Sequence, residues 1–270
     1  MVMPEQDNYL SFSLEERTEA QYIRPKQSAN TLFRFFRNPD RVFESIEKSA
    51  LLPGYYEENV DYLDIDQHVI AYPMICFCDI TLHRLEEHMR SYGYYGLGFS
   101  KQWGIEKGIQ PIQYVNKNSA LCKDLSVAFK AAMKNGGDNL SDNYLLSHMK
   151  YLKPIEGTMP QYVDGTKIVT EKNFTDECEW RYVPDVSQIE LPQAVMESEI
   201  ACLDRLNSTM KENECCLLKF SYSDIKYIIL PSQEDFIRLC GVVDKVVPDG
   251  GIKRFLLSKT IIWEEAKEDF

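Results

Sequence analysis

The stretch Thr31-Leu-Phe-Arg-Phe-Phe36 runs almost directly into Asn38-Pro39, and this junction constrains the fold more than any other short segment. The first part reads as a strand. Asparagine followed by proline then supplies an N-cap and a first helical residue, the favoured start of a helix. Val42, Phe43, Ile46 and Ala50 follow at helical spacing, so the pattern predicts an amphipathic helix over 39–51, ended by Pro53-Gly54. A chain that passes from apolar strand to amphipathic helix within two residues must lay one on the other, as mixed α and β folds do.

The same alternation continues. Tyr55 to Gln67 reads as an acidic, tyrosine-rich loop, and Met74-Ile-Cys-Phe-Cys-Asp-Ile80 as a buried strand. Thr81 is placed to cap a helix reaching about Ser91, with Leu82, Leu85 and Met89 on one face. Tyr92-Gly-Tyr-Tyr-Gly-Leu-Gly-Phe99 reads as a glycine-punctuated strand, and Ile112 to Val115 as another. Ser119 opens a helix with Leu121, Leu125, Ala128 and Ala132 inward, closed by Gly136-Gly137, and a second helix follows near 141–150. Cys178 to Val183 alternates as a strand up to Pro184, and Gln193 to Met210 reads as one long helix. Leu217–Phe220 and Ile225–Leu230 are expected strands and Gln233–Cys240 a helix; Thr260 to Trp263 is a strand running into a short C-terminal helix. Residues 1–28 are polar with no sustained period, an arm with room for one short helix. The remainder, 29–270, reads as one mixed domain of the α+β class.

Composition narrows the function. With 30 Lys+Arg against 42 Asp+Glu the net charge is −12, which argues against a broad grip on duplex DNA. The best apolar run, Val69 to Phe77, is about half of the roughly 20 residues a membrane span needs. The start MVMPEQDNYL lacks a basic segment followed by an apolar one, so a cytoplasmic protein is expected. In that compartment the eight cysteines are expected as reduced thiols. Cys76-x-Cys78 with His83 and His88 lacks the spacing of a tetrahedral metal site, so no metal is expected. Neither a P-loop nor a dinucleotide-binding glycine fingerprint is present.

Several residues can carry chemistry. In an extended strand Glu177 and Glu179 would share a face, with Arg181 next in the row. That face is either a paired-carboxylate site or a solvated surface on which Glu179 pairs with Arg181. Arg34 is a cation inside an apolar strand, either a bidentate clamp on a pyrophosphate or an edge arginine snorkelling to water. Arg37 and Arg41, with the helix N-terminus between them, could form a local anion site. Tyr92, Tyr94 and Tyr95, among glycines, could stack on a flat ring or simply ease close packing against a helix, and Ser100-Lys101 could reach a phosphate.

Leu32-Phe-Arg-Phe-Phe, Ile75-Cys-Phe-Cys-Asp-Ile, the run from Tyr92 to Gly104 and Glu177-Cys-Glu-Trp-Arg together resemble the AbiGi family of abortive phage-infection proteins, often labelled antitoxins. Leu217-Leu-Lys-Phe, Asp224 to Ile229 and Ser258 to Trp263 resemble it too, so the likeness spans roughly 30–265. The order of elements also resembles the ADP-ribosyltransferase fold, in its DarT branch. This implies a split, mostly antiparallel sheet flanked by helices and NAD as substrate. Arg34 stands where that fold's first motif puts its polar residue, followed here by Phe35 and Phe36 rather than Ser or Thr. The resemblance implies that Glu179 holds the ribose and stabilises an oxocarbenium-like transition state while Glu177 orients the nucleophile. Arg34, Tyr94, Tyr95, Ser100, Lys101 and Arg181 would line the cofactor. The function so implied is a phage-defence ADP-ribosyltransferase or NAD glycohydrolase. The alternative is a non-catalytic antitoxin or sensor that binds a toxin, a phage protein or a nucleotide signal.

Overall fold

The structure, a computed structural model, describes residues 23–25, 27–137, 139–163 and 166–269. Most of the expected polar arm, 1–28, lies outside them. The rest is α+β. Among the described residues nine strands form one sheet, whose main path runs Thr260–Ile262, Ile225–Leu230, Tyr95–Ser100, Thr31–Phe36, Val69–Cys78, Glu179–Tyr182 and Gln110–Pro111. Neighbours on this path are antiparallel except the pair Ile225–Leu230 and Thr260–Ile262. No helix among the described residues is long and apolar enough to cross a membrane.

The sheet is split, and the split positions the site. Val69–Cys78 meets Thr31–Phe36 at Phe33 opposite Cys78. From Met74 back to Val69 its partner is instead Gly54–Asn59. The two neighbours therefore fork along one edge of the long strand. Its other edge carries Glu179–Tyr182 and then the short pair Val195–Met196.

Alternation sorts the side chains. Leu32, Ile75, Phe77, Leu97 and Phe99 face a core shared with Val42, Phe43 and Ile46 of helix Pro39–Lys48 and with Leu239, Val242 and Val243 of helix Gln233–Val246. Phe33, Phe35 and Cys78 face the other side, under Leu85 and Met89 of helix Leu85–Tyr92. A further core joins Ile70, Tyr72 and Met74 to Cys122 and Phe129 of helix Ala120–Lys134 and to Met149 and Leu152. Two of the expected caps form, Asn38 accepting from Asp40 N at 2.9 Å and Ser119 from Cys122 N at 3.1 Å. The third does not: the Thr81 side chain makes no capping bond, a tight turn over Leu82–Arg84 follows it, and the α-helix starts only at Leu85.

Several elements differ from the sequence reading, each for a local reason. The first helix stops at Lys48, because Ser49 turns left-handed (φ 48°) and hands Ala50–Leu51 to a pairing with Leu218–Lys219. That pairing is also all that forms of the expected strand Leu217–Phe220. The expected loop after Tyr55 contains the strand Gly54–Asn59, recruited by the free edge of the long strand. The same demand breaks the expected long helix: Val195–Met196 pairs with Ala71 and Ile70, a tight turn spans Glu197–Cys202, and only Leu203–Glu212 is α-helical. Helix Leu85–Tyr92 extends through Tyr92, whose ring packs 4.5 Å from that of His88 one turn back. Gly93 then turns the chain at φ 107°, and the strand begins only at Tyr95. A hairpin of Glu156–Val163 and Thr166–Asn173, with no counterpart in the sequence reading, pairs along eight residues.

Candidate functional site

Glu177 is not in a strand. It ends a tight helical turn, Phe174–Glu177, and Cys178 takes a left-handed conformation (φ 42°) before the strand starts at Glu179. The expected i, i+2 strand face is therefore incorrect. The two carboxylates nevertheless meet, because Lys153 bridges them at 2.7 Å to Glu177 Oε2 and 2.9 Å to Glu179 Oε2. Lys153 lies in the short strand Leu152–Pro154, which pairs in parallel with Gln113–Val115.

Around that bridge lies a buried acid–base cluster. Arg181, 0% exposed, donates from Nε to Glu179 Oε1 at 2.7 Å, from Nη1 to the Lys150 carbonyl at 2.7 Å and from Nη2 to Glu58 Oε1 at 2.8 Å. Glu177 also accepts from Lys172 of the hairpin at 2.7 Å and from the Tyr92 hydroxyl. The backbone N–H of Glu179 donates to Tyr114 Oη at 2.9 Å. Glu179 and Glu177 are 5% and 3% exposed. The solvated face considered for this pair does not occur.

The electrostatics follow from burial and pairing together. Burial pushes the Glu179 carboxyl up, but Arg181 and Lys153 outweigh it and hold the group well below the ordinary carboxylate range. Glu177 is likewise held low, with Lys153 and Lys172 outweighing burial. Burial would discharge Lys153 and Arg181, yet the facing carboxylates keep both charged. Glu58 goes the other way: burial raises it against the pull of Arg181 and Lys153. His88, beside the cluster and packed on Phe35 and Tyr92, is pushed down to about 4 by burial.

Arg34 sits at the fork. Where Thr31–Phe36 and Gly54–Asn59 separate, its Nη1 reaches the Cys76 carbonyl at 3.4 Å and its Nη2 the Tyr56 hydroxyl at 2.7 Å. The strand is interior rather than at an edge, so the cation satisfies a sheet carbonyl left by the fork. It lies close enough to Glu179 to be stabilised by it.

The other expected cofactor residues are dispersed. Tyr94 packs with Leu85, Met89 and Phe35 on one face of the sheet. Tyr95 packs against the core on the other face and donates to Asp235 Oδ1 at 3.0 Å. Ser100 caps the helix Lys101–Glu106 by accepting from Trp103 N at 3.1 Å. Lys101 is buried in an ion pair with Asp79 at 2.5 Å and a bond to Ser28 Oγ at 2.9 Å. Arg37 donates to the Ser91 carbonyl, and Arg41 leans on Glu44 at 3.8 Å. Gly96 and Gly98 make room for the rings of Phe35 and Phe33, which a Cβ would approach to 2.6 and 2.7 Å.

The cluster members missed in the sequence are Glu58, Tyr114, Lys153 and Lys172. None stands in a motif: Tyr114 and Lys153 meet through a parallel pairing distant in sequence, Glu58 comes from the strand Gly54–Asn59 on the edge of the long strand, and Lys172 from the hairpin. All of them, with Glu177, Glu179 and Arg181, lie within residues 50–231, which match the family model described as "Putative abortive phage resistance protein AbiGi, antitoxin". A relative from Lactococcus lactis subsp. cremoris, named abortive phage resistance protein AbiGi, is 34% identical over 248 residues, covering 82% of this chain and 100% of the relative. The chain belongs to the AbiGi family. No solved structure matches it. Within the family the expected likeness in sequence is borne out, as is the split, mostly antiparallel α+β architecture.

Proposed function

We propose that this AbiGi-family chain is the binding, antitoxin-type component of a cytoplasmic phage-defence system, acting by contact with a cognate toxin. In this reading the acid–base cluster shapes the central sheet instead of performing group transfer. One observation carries it: both oxygens of Glu179 already accept from cations, Oε1 from Arg181 and Oε2 from Lys153. A carboxylate that is to stabilise an oxocarbenium-like state needs charge not already matched by neighbours. With two cations in contact and almost no exposure, little is left for a substrate ribose. The test is expression in a bacterial host. The chain alone is expected to leave growth unchanged, and it is expected to form a stoichiometric complex with a protein whose own expression arrests growth. Growth arrest by the chain alone, lost in Glu179→Gln, would overturn the reading.

A second reading is the NAD-dependent ADP-ribosyltransferase or glycohydrolase, with NAD as substrate and Glu179 as its electrostatic group. It is favoured by the imbalance of the cluster, where Arg34, Lys153, Lys172 and Arg181 outnumber Glu58, Glu177 and Glu179. Ionisable groups gathered in one buried place are a mark of functional sites, and a surplus cation suits a diphosphate.

A further inference from the structure

Lys150, whose carbonyl accepts from Arg181, lines a cavity of about 400 Å³. It is walled by the start of the long strand, the turn after helix Ala120–Lys134, the helix Leu140–His148 and the segment leading into Val195–Met196. Its volume falls in the range of small-molecule sites. The walls are mostly apolar and adaptable: Met133, Leu146, Met149 and Met196 line it together with Tyr72.

One charged group lines this apolar space. Lys150 is 9% exposed, and its Nζ donates to Gln193 Oε1 at 3.1 Å, a neutral acceptor that also lines the cavity. Burial lowers its pKa, and Asp185, the carboxylate that opposes this, is exposed and already accepts from Ser187. A buried ammonium facing a neutral amide lacks the counter-anion that buried charges ordinarily have. The other cations nearby are committed elsewhere: Arg181 spends Nη1 on the Lys150 carbonyl and its remaining donors on Glu58 and Glu179. One uncommitted cation suits a monoanion, and thioether and alkyl walls suit an unbranched apolar body.

We propose that this cavity binds an amphiphilic monocarboxylate, of the medium-chain fatty-acid class, with its alkyl chain among the methionines and its carboxylate on Lys150. The site is independent of the function proposed above. It also adjoins the acid–base cluster, since the Lys150 carbonyl is one of the acceptors that hold Arg181.

Isothermal titration of the full chain with sodium decanoate and with decan-1-ol, which shares the tail and lacks the charge, tests this. Decanoate is expected to bind one-to-one and the alcohol about tenfold more weakly or worse, the loss of one charge-assisted hydrogen bond. Lys150→Met is expected to bind both ligands like the alcohol. Leu146→Trp, which fills the cavity from its wall while leaving Lys150 in place, is expected to bind neither. Equal binding of acid and alcohol, no binding of decanoate, or unchanged decanoate binding in Leu146→Trp each overturns the proposal.

Discussion

Replacing Arg181 by methionine removes the most deeply buried charge among the described residues and keeps most of its volume. The guanidinium donates to Glu179, Glu58 and the Lys150 carbonyl. Lys153 remains to neutralise Glu179, but Glu58 loses the ion pair it makes through its Oε1. Breaking a buried pair from one side costs about 3–5 kcal/mol, because the orphaned charge, here a side chain only 16% exposed, has little solvent to turn to. At about 2–4 °C per kcal/mol for a chain near this size, Tm should fall by roughly 6–20 °C. The assay is thermal unfolding followed by far-UV circular dichroism near neutral pH, run as a double-mutant cycle with Glu179→Gln. If the cluster is structural, each single variant is destabilised and the double variant loses less than the sum, by about 0.5–3 kcal/mol. If the cluster were a strained catalytic site, Glu179→Gln would leave Tm unchanged or raise it, since such sites commonly trade stability for activity. A fall below about 2 °C for Arg181→Met, or strict additivity, refutes the reasoning.

Three further outcomes are expected. Glu179 and Glu177 have folded pKa values below their unfolded value of about 4.3, so they add stability that is fully present above that pH and is lost progressively as pH falls from there through their folded values. Glu58, raised by burial, contributes with the opposite sign. Tm of the wild type should therefore drop on acidification from about pH 5, and that of Glu179→Gln should drop less steeply; parallel curves would contradict the pairing. His88 should titrate near 4 by proton NMR, and an inflection close to the unperturbed value of about 6.5 would contradict its packing between Phe35 and Tyr92. Gly93→Ala puts a Cβ 2.2 Å from the Phe36 carbonyl oxygen at φ 107°, so a loss of about 1–3 kcal/mol is expected in urea unfolding, and an unchanged midpoint would contradict it.

The parts of the fold legible in the sequence are those whose cause is local. Thr31–Phe36 and the Asn38-Pro39 start are where the pattern puts them, as is helix Ala120–Lys134 with its Ser119 cap. The parts that were not legible depend on partners far away. Gly54–Asn59 reads as a loop because its strand character comes from the free edge of Val69–Cys78, and Val195–Met196 leaves a helical pattern for the same reason. The candidate site divides along the same line. Glu177, Glu179, Arg181 and Arg34 stand out as charges beside apolar or aromatic residues, and the structure brings them close together. Lys172 stands in polar surroundings that give no hint of burial, whereas Lys153 stands between Leu152 and Pro154 but in no motif; the hairpin and the parallel pairing of Leu152–Pro154 carry the two inward. Tyr94, Tyr95, Ser100 and Lys101 looked like a continuous lining. Helix extension through Tyr92 and capping by Ser100 send them to separate neighbours.

The most direct test of the structural role of the cluster is the release of nicotinamide from NAD labelled on its adenylate, with the purified chain in the presence and absence of bacterial lysate. The proposed reading predicts no release above a heat-inactivated blank, alike for the wild type and for folded Glu179→Gln. Release by the wild type that Glu179→Gln abolishes, with its fold intact, would contradict it and establish Glu179 as an electrostatic catalyst.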